Sequence, residues 1–165
     1  MSLKSRSSGV LMPVSSLPGD YGIGTLGTEA RHFVDLLQSM GCSYWQILPI
    51  GPVDDYFSPY NSTSAFAGNP LFIDLELLFK WGLLTADELA ASKSADPPYS
   101  INYPNLIDNR NTIFKSAYSR LTTSLKKDIH QYCLANHEWL PDFSLYTVLA
   151  QHFSEKNWTK WDNPD

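Results

Sequence analysis

The 165-residue sequence predicts an α/β fold that opens with one strand, helix, strand unit and then continues as helices alone. Three observations predict it. Two continuous apolar runs, 9–14 and 43–50, are each bounded by turn residues, which is how strands buried on both faces read. The segment between them carries apolar residues at helical spacing. After Pro70 no further strand pattern is evident.

The first run, starting at Gly9, passes into the turn residues Ser15, Ser16, Pro18 and Gly19. Thr28 is then placed to cap a helix whose apolar positions are Ala30, Phe33, Val34, Leu37 and Met40, with Gly41 closing it. The second run is rich in aromatic and β-branched residues and is stopped by Pro49 and Pro52. A unit of this kind closes with parallel strands and a right-handed crossover, so the loops 15–27 and 51–70 leave the same edge of the sheet. Both loops exceed the usual connection length, which marks them as candidates for lining a site.

Beyond Leu71 an apolar stretch runs to Lys80 and ends at Gly82, and Thr85-Ala-Asp-Glu88 forms a capping box for a helix to about residue 93. Residues 94–105, with Pro97, Pro98 and Pro104, read as a loop. Asp108 is expected to cap a helix carrying Ile113, Ala117, Tyr118 and Leu121 and continuing through Leu125, Ile129, Tyr132 and Cys133. Asp142 is expected to cap the last helix, through Leu145, Val148, Leu149 and Phe153. Two parallel strands leave both sheet edges open, whereas a closed barrel of eight strand and helix units takes about 250 residues. The chain therefore reads as the start of a larger fold.

Composition narrows the function. Apolar residues make up 43% and aromatic residues 13%, enough for an ordinary core. A net charge of −5, a pI near 5.2 and no basic run longer than Lys126-Lys127 give no electrostatic footprint for nucleic acid or an anionic membrane. The apolar run 9–14 is too short for a signal-peptide core or a membrane span, so a cytoplasmic protein is expected. Cys42 and Cys133 lie far apart and are expected to be buried, reduced thiols. His32, His130, His137 and His152 show no metal-binding spacing, and no metal is expected.

Gly22-Ile-Gly-Thr-Leu-Gly27 matches the glycine fingerprint of dinucleotide-binding proteins. That fingerprint needs its first glycine directly after the strand, yet residues 15–21 intervene, and no acid closes the second strand. An oxidoreductase is therefore set aside in favour of a loop that turns the chain into the helix.

Several motifs stand in a recognisable order. Ser8-Gly-Val-Leu, Ser16-Leu-Pro-Gly, Tyr21-Gly-Ile-Gly and Trp45-Gln-Ile-Leu-Pro-Ile-Gly-Pro are followed by Ser58-Pro-Tyr60 and Ser64-Ala-Phe-Ala-Gly-Asn-Pro70. Together they closely resemble the 4-α-glucanotransferases, the family of amylomaltases and disproportionating enzymes. The likeness continues through Gly82-Leu-Leu, Trp139-Leu-Pro-Asp-Phe and Trp158-Thr-Lys-Trp161, across essentially the whole chain but only the early part of the family's length.

The resemblance implies a (β/α)8 TIM barrel with inserted subdomains. Residues 1–74 would supply its first two strands, the crossover helix and a substrate loop, and 75–165 a helix-rich inserted subdomain of an incomplete barrel. It implies transfer of α-1,4-glucan segments between maltooligosaccharides with retention, without metal or organic cofactor. Retention takes two carboxyl groups about 5–5.5 Å apart. In the family these sit on later barrel strands that none of the motifs here match, so no catalytic residue is expected and the segment alone should be inactive. Asp54 and Asp55 are read as solvated loop charges.

What the resemblance carries to this segment is substrate binding. Tyr60 matches the tyrosine that stacks on the glucose ring nearest the cleaved bond, with Ser58 as a hydrogen-bonding partner in the same loop. Gly68, Asn69 and Pro70 are expected to fix the loop's shape. Asp54-Asp-Tyr-Phe57 departs from the Gly-rich sequence that many relatives carry before Ser-Pro-Tyr, which leaves the outer donor groove unassigned. The alternative is a truncated, non-catalytic carbohydrate-binding fragment, suggested by Trp158 and Trp161; their i, i+3 spacing speaks more for packing.

Overall fold

A computed structural model describes residues 6–97, 99–155 and 157–161. Strands β1 (Gly9–Leu11) and β2 (Tyr44–Gln46) form a two-stranded parallel sheet, with Gly9 opposite Tyr44, Val10 opposite Trp45 and Leu11 opposite Gln46. Both strands are shorter than the apolar runs that encode them. Pro13 has no N–H to extend the ladder, so after Met12 N–H donates to the Gln46 carbonyl the chain turns into a 3-10 segment at Val14–Ser16.

Helix α1 (Thr28–Ser39) lies between the strands in sequence. Its N-cap is Gly27 rather than Thr28, which is already the first helical residue, and no side chain caps it; a side chain at position 27 would run into the Asp74 carboxylate. At the other end Cys42 N–H reaches the Leu37 carbonyl and Gly41 N–H the Gln38 carbonyl, with Gly41 at φ 72°, the paired closure that glycine permits. Phe33 of α1 meets Trp45 edge-on at 5.0 Å between ring centres. That contact covers one sheet face. On the other, Leu11 and Tyr44 are each 55% exposed, so the expected burial of the strands on both faces is not found in this chain.

Asp74 caps α2 (Leu75–Lys80), and Thr85 with Glu88 forms the expected capping box on α3 (Ala86–Ala91). Helix α4 (Tyr103–Ser119) begins earlier than the Asp108 expected to cap it. Asn102 accepts from Asn105 N–H, and Pro104 fits the first turn, where its missing N–H costs nothing. The long helix expected from Asp108 to Cys133 is in fact two: Thr122 accepts from Leu125 N–H and starts α5 (Thr123–Ala135) anew.

The backbone divides after Leu121 into two compact units. Among the described residues of the first, Val14 is buried with Leu17 and Ala30, and Ile23 with Leu71 and Leu106; Leu75 is fully buried. In the second unit α6 (Leu140–Phe153) starts before Asp142, which sits in its first turn beside Pro141 rather than capping it. Trp161 stacks on Tyr146 and Phe153 as its spacing suggested, while Trp158 is 67% exposed. No residue of α5 is buried, so Cys133 is exposed rather than buried as expected; Cys42, in the turn after α1, is half-buried. Among the described residues no helix is long and apolar enough to cross a membrane.

Candidate functional site

Because β1 and β2 run parallel, the loops that follow them leave from the same end of the pair. The loop 51–70 is built around one carboxylate. Asp54 Oδ1 accepts the N–H groups of Tyr56 at 3.0 Å and Ser58 at 2.8 Å, and its Oδ2 accepts from the Asn61 amide at 2.9 Å. Asp54 is therefore the organiser of this loop rather than a solvated charge, using the short acidic side chain's capacity to bond backbone two residues on. The far half is held by Ser64, whose hydroxyl accepts from Phe66 and Ala67 N–H, and by Asn69. Asn69 is 7% exposed; its N–H donates to the Ile50 carbonyl at 2.7 Å and its side chain accepts from Leu71 N–H.

Ser58 and Tyr60 are brought together: the Ser58 hydroxyl oxygen accepts Tyr60 N–H at 3.3 Å, leaving the hydroxyl proton free to donate. The Tyr60 side chain is 74% exposed, offering an aromatic face with a polar tip. Tyr56, 90% exposed, is presented by the same loop. Between them Phe57 adopts φ 58°, a left-handed conformation that costs a bulky residue about 1–2 kcal/mol. Its ring lies flat on Tyr103, the first residue of α4, with ring centres 4.1 Å apart and planes 4° from parallel. Burial raises the Tyr103 phenol above its ordinary pKa.

The loop 15–27 is pinned at several points. Leu26 N–H donates to the Phe72 carbonyl, and the buried Thr25 hydroxyl donates to Asp74 Oδ2 at 2.9 Å. Gly22 sits at φ 82°, and Gly27 lies against the Asp74 carboxylate with no room for a Cβ. The glycines that resemble a dinucleotide fingerprint are thus committed to turning and close packing. Arg110 of α4 is 1% exposed and donates from Nη2 to the Tyr21 carbonyl at 3.3 Å. Burial lowers its pKa to about 10, against the opposing attraction of Asp74 and then Tyr21. Its Nε and Nη1 are buried without a hydrogen-bond partner among the described residues.

This arrangement can stack on and hydrogen-bond a ligand. The Asp54 oxygens serve the loop as acceptors, and no group of three His, Cys, Asp or Glu side chains suited to a metal occurs among the described residues. What the sequence did not reveal is the role of Asp54, the stack of Phe57 on Tyr103 and the burial of Arg110. Only the first has a local signal, an acid two and four residues before the N–H groups it binds.

Residues 12–165 match the family model described as 4-alpha-glucanotransferase. A 4-alpha-glucanotransferase of Streptococcus pneumoniae is 40% identical over 164 residues, covering 99% of this chain and 32% of the relative. One from Clostridium butyricum is 38% identical over 151 residues, 92% of this chain and 31% of its own length. Among solved structures, an amylomaltase from Streptococcus agalactiae in complex with acarbose superposes with a TM-score of 0.90 at 34% identity, covering 96% of this chain and 32% of that one. The chain spans about a third of the length of the relatives it matches.

Proposed function

The chain belongs to the 4-alpha-glucanotransferase family, and from that premise we propose that it is the substrate-binding opening portion of an enzyme that transfers α-1,4-glucan segments between maltooligosaccharides. In this reading β1, α1 and β2 are the first βαβ unit of a (β/α)8 barrel. Residues 1–74 belong to the barrel with its substrate loop, and 75–165 begin a helical insertion whose first part packs in the same compact unit as the strands. The open sheet face with Leu11 and Tyr44 would be covered by later elements of the barrel.

Tyr60 stacks on the donor glucose ring nearest the cleaved bond, and the Ser58 hydroxyl donates to a sugar hydroxyl. The chemistry is a retaining double displacement: one carboxylate attacks the anomeric carbon as a second carboxylic acid protonates the departing oxygen, and the acceptor's 4-hydroxyl then displaces the first carboxylate while giving its proton back to the second. Both carboxyl groups are supplied by parts of the complete protein outside this segment, which binds but does not cleave. No metal or organic cofactor enters these steps, and the enzyme works in the cytoplasm.

The observation that carries this reading is an exposed tyrosine on a densely hydrogen-bonded loop, within a match that spans residues 12–165. Maltotriose incubated with the complete protein should yield glucose together with longer maltooligosaccharides. Absence of transfer, or release of glucose with no longer products, would overturn it.

A further inference from the structure

We infer that Tyr103, at the start of α4, is a positioning residue for the loop that presents Tyr60, acting through its stack on Phe57. The inference rests on the reading of Tyr60 as a donor-site contact. Asp54 holds the N–H groups of Tyr56 and Ser58, the residues on either side of Phe57, and Phe57 N–H itself donates to the Asp54 carbonyl at 3.1 Å. The backbone is thus clamped around a left-handed phenylalanine. Such a conformation persists only where the surroundings over-determine it.

The flat contact with Tyr103 supplies what local hydrogen bonds do not, an external reference for the loop. Helix α4 is itself fixed, with Leu106 in the core and Arg110 bonded to the Tyr21 carbonyl. A rigid helix therefore sets the direction of Phe57, and the turn closed by Ser58 passes that direction to Tyr60 three residues on. Glycine could adopt the same backbone but could not report the position of α4. Phe57 is thus one half of a two-residue device, and Tyr103 is the other half.

The test is steady-state transfer from maltotriose by the complete protein carrying Tyr103→Phe, Tyr103→Ala, Phe57→Gly or Tyr60→Ala, and Tyr103→Ala combined with Tyr60→Ala. Tyr103→Phe keeps the stack and should retain kcat and KM within about twofold. Tyr103→Ala and Phe57→Gly should each lower kcat/KM by roughly tenfold to a hundredfold, the scale of a small misplacement of a binding group. Phe57→Gly relieves the left-handed backbone conformation, and the melting temperatures of the variants, measured beside that of the native protein, separate a loss of positioning from a loss of folding. On the Tyr60→Ala background Tyr103→Ala should cost far less than on the native one, since of the loop's two sugar contacts only the Ser58 hydroxyl remains to be positioned. Full additivity of the two losses, with Tyr60→Ala itself impaired, overturns the positioning role alone. Unchanged transfer by Tyr60→Ala overturns the donor-site reading and this inference with it.

Discussion

Replacing Asp74 with Ala removes two bonds and one charge at a single point. Its Oδ1 caps α2 through Leu77 N–H at 2.8 Å, and losing such a cap costs about 1 kcal/mol. Its Oδ2 receives the Thr25 hydroxyl, and Thr25 is 9% exposed, so a stranded hydroxyl adds about 1–3 kcal/mol. The negative charge also supports the buried Arg110 guanidinium, whose pKa should fall further without it. The first two losses alone come to roughly 2–4 kcal/mol. Asp74→Asn separates them from the charge: asparagine is an equally good cap, and its amide can still meet the Thr25 hydroxyl. Native-state hydrogen exchange in the complete protein, read at the amides of α2 and of residues 21–27, measures the local opening free energy directly. We expect Asp74→Ala to lower it by that 2–4 kcal/mol and Asp74→Asn by about 1 kcal/mol or less. Equal losses in the two variants, or a loss under about 1 kcal/mol for Ala, would refute the bonding account.

Gly27→Ala places a methyl against the same carboxylate and should cost about 1–3 kcal/mol by overpacking, seen as faster exchange across the start of α1 and α2. Leu75→Ala, at a fully buried site, should destabilise the first unit by about 2–5 kcal/mol in the same measurement. Glu88 predicts a pH dependence. Two hydrogen bonds from the Arg120 guanidinium, followed by the Thr85 N–H, lower its pKa from 4.5 to about 2. Because the folded state holds the carboxylate form, this stabilisation is present above about pH 4.5 and is lost as pH falls towards 2. Protection of the α3 amides should fall through that window, and Glu88→Gln should abolish its pH dependence there.

Much of the first unit was legible because its signals are local. Apolar runs marked the strands, Gly41 closed α1 and the Thr85 to Glu88 box opened α3 as read. Boundaries failed where two signals competed. The prolines at 97, 98 and 104 made 94–105 read as a loop, yet Pro104 is tolerated in the first turn of α4. Apolar periodicity ran unbroken through Leu121 and Leu125 and hid the fresh start that Thr122 provides. The loop bearing Tyr60 and Ser58 was found from its motif, but the reason it holds its shape was not. Asp54 was masked by the rule that loop acids are solvated, and the contacts of Phe57 with Tyr103 and of Arg110 with Tyr21 span 46 and 89 residues, distances over which no periodicity speaks.

Central to this account is an aromatic face at position 60 that meets glucose. Turnover of maltotriose by the complete protein, compared among the native sequence, Tyr60→Phe and Tyr60→Ala, addresses it most directly. The account predicts near-native kcat/KM for the phenylalanine variant and a loss of tenfold or more for the alanine variant, about 1.4 kcal/mol or more of transition-state binding. Native turnover by the alanine variant, with its folding intact, would contradict it.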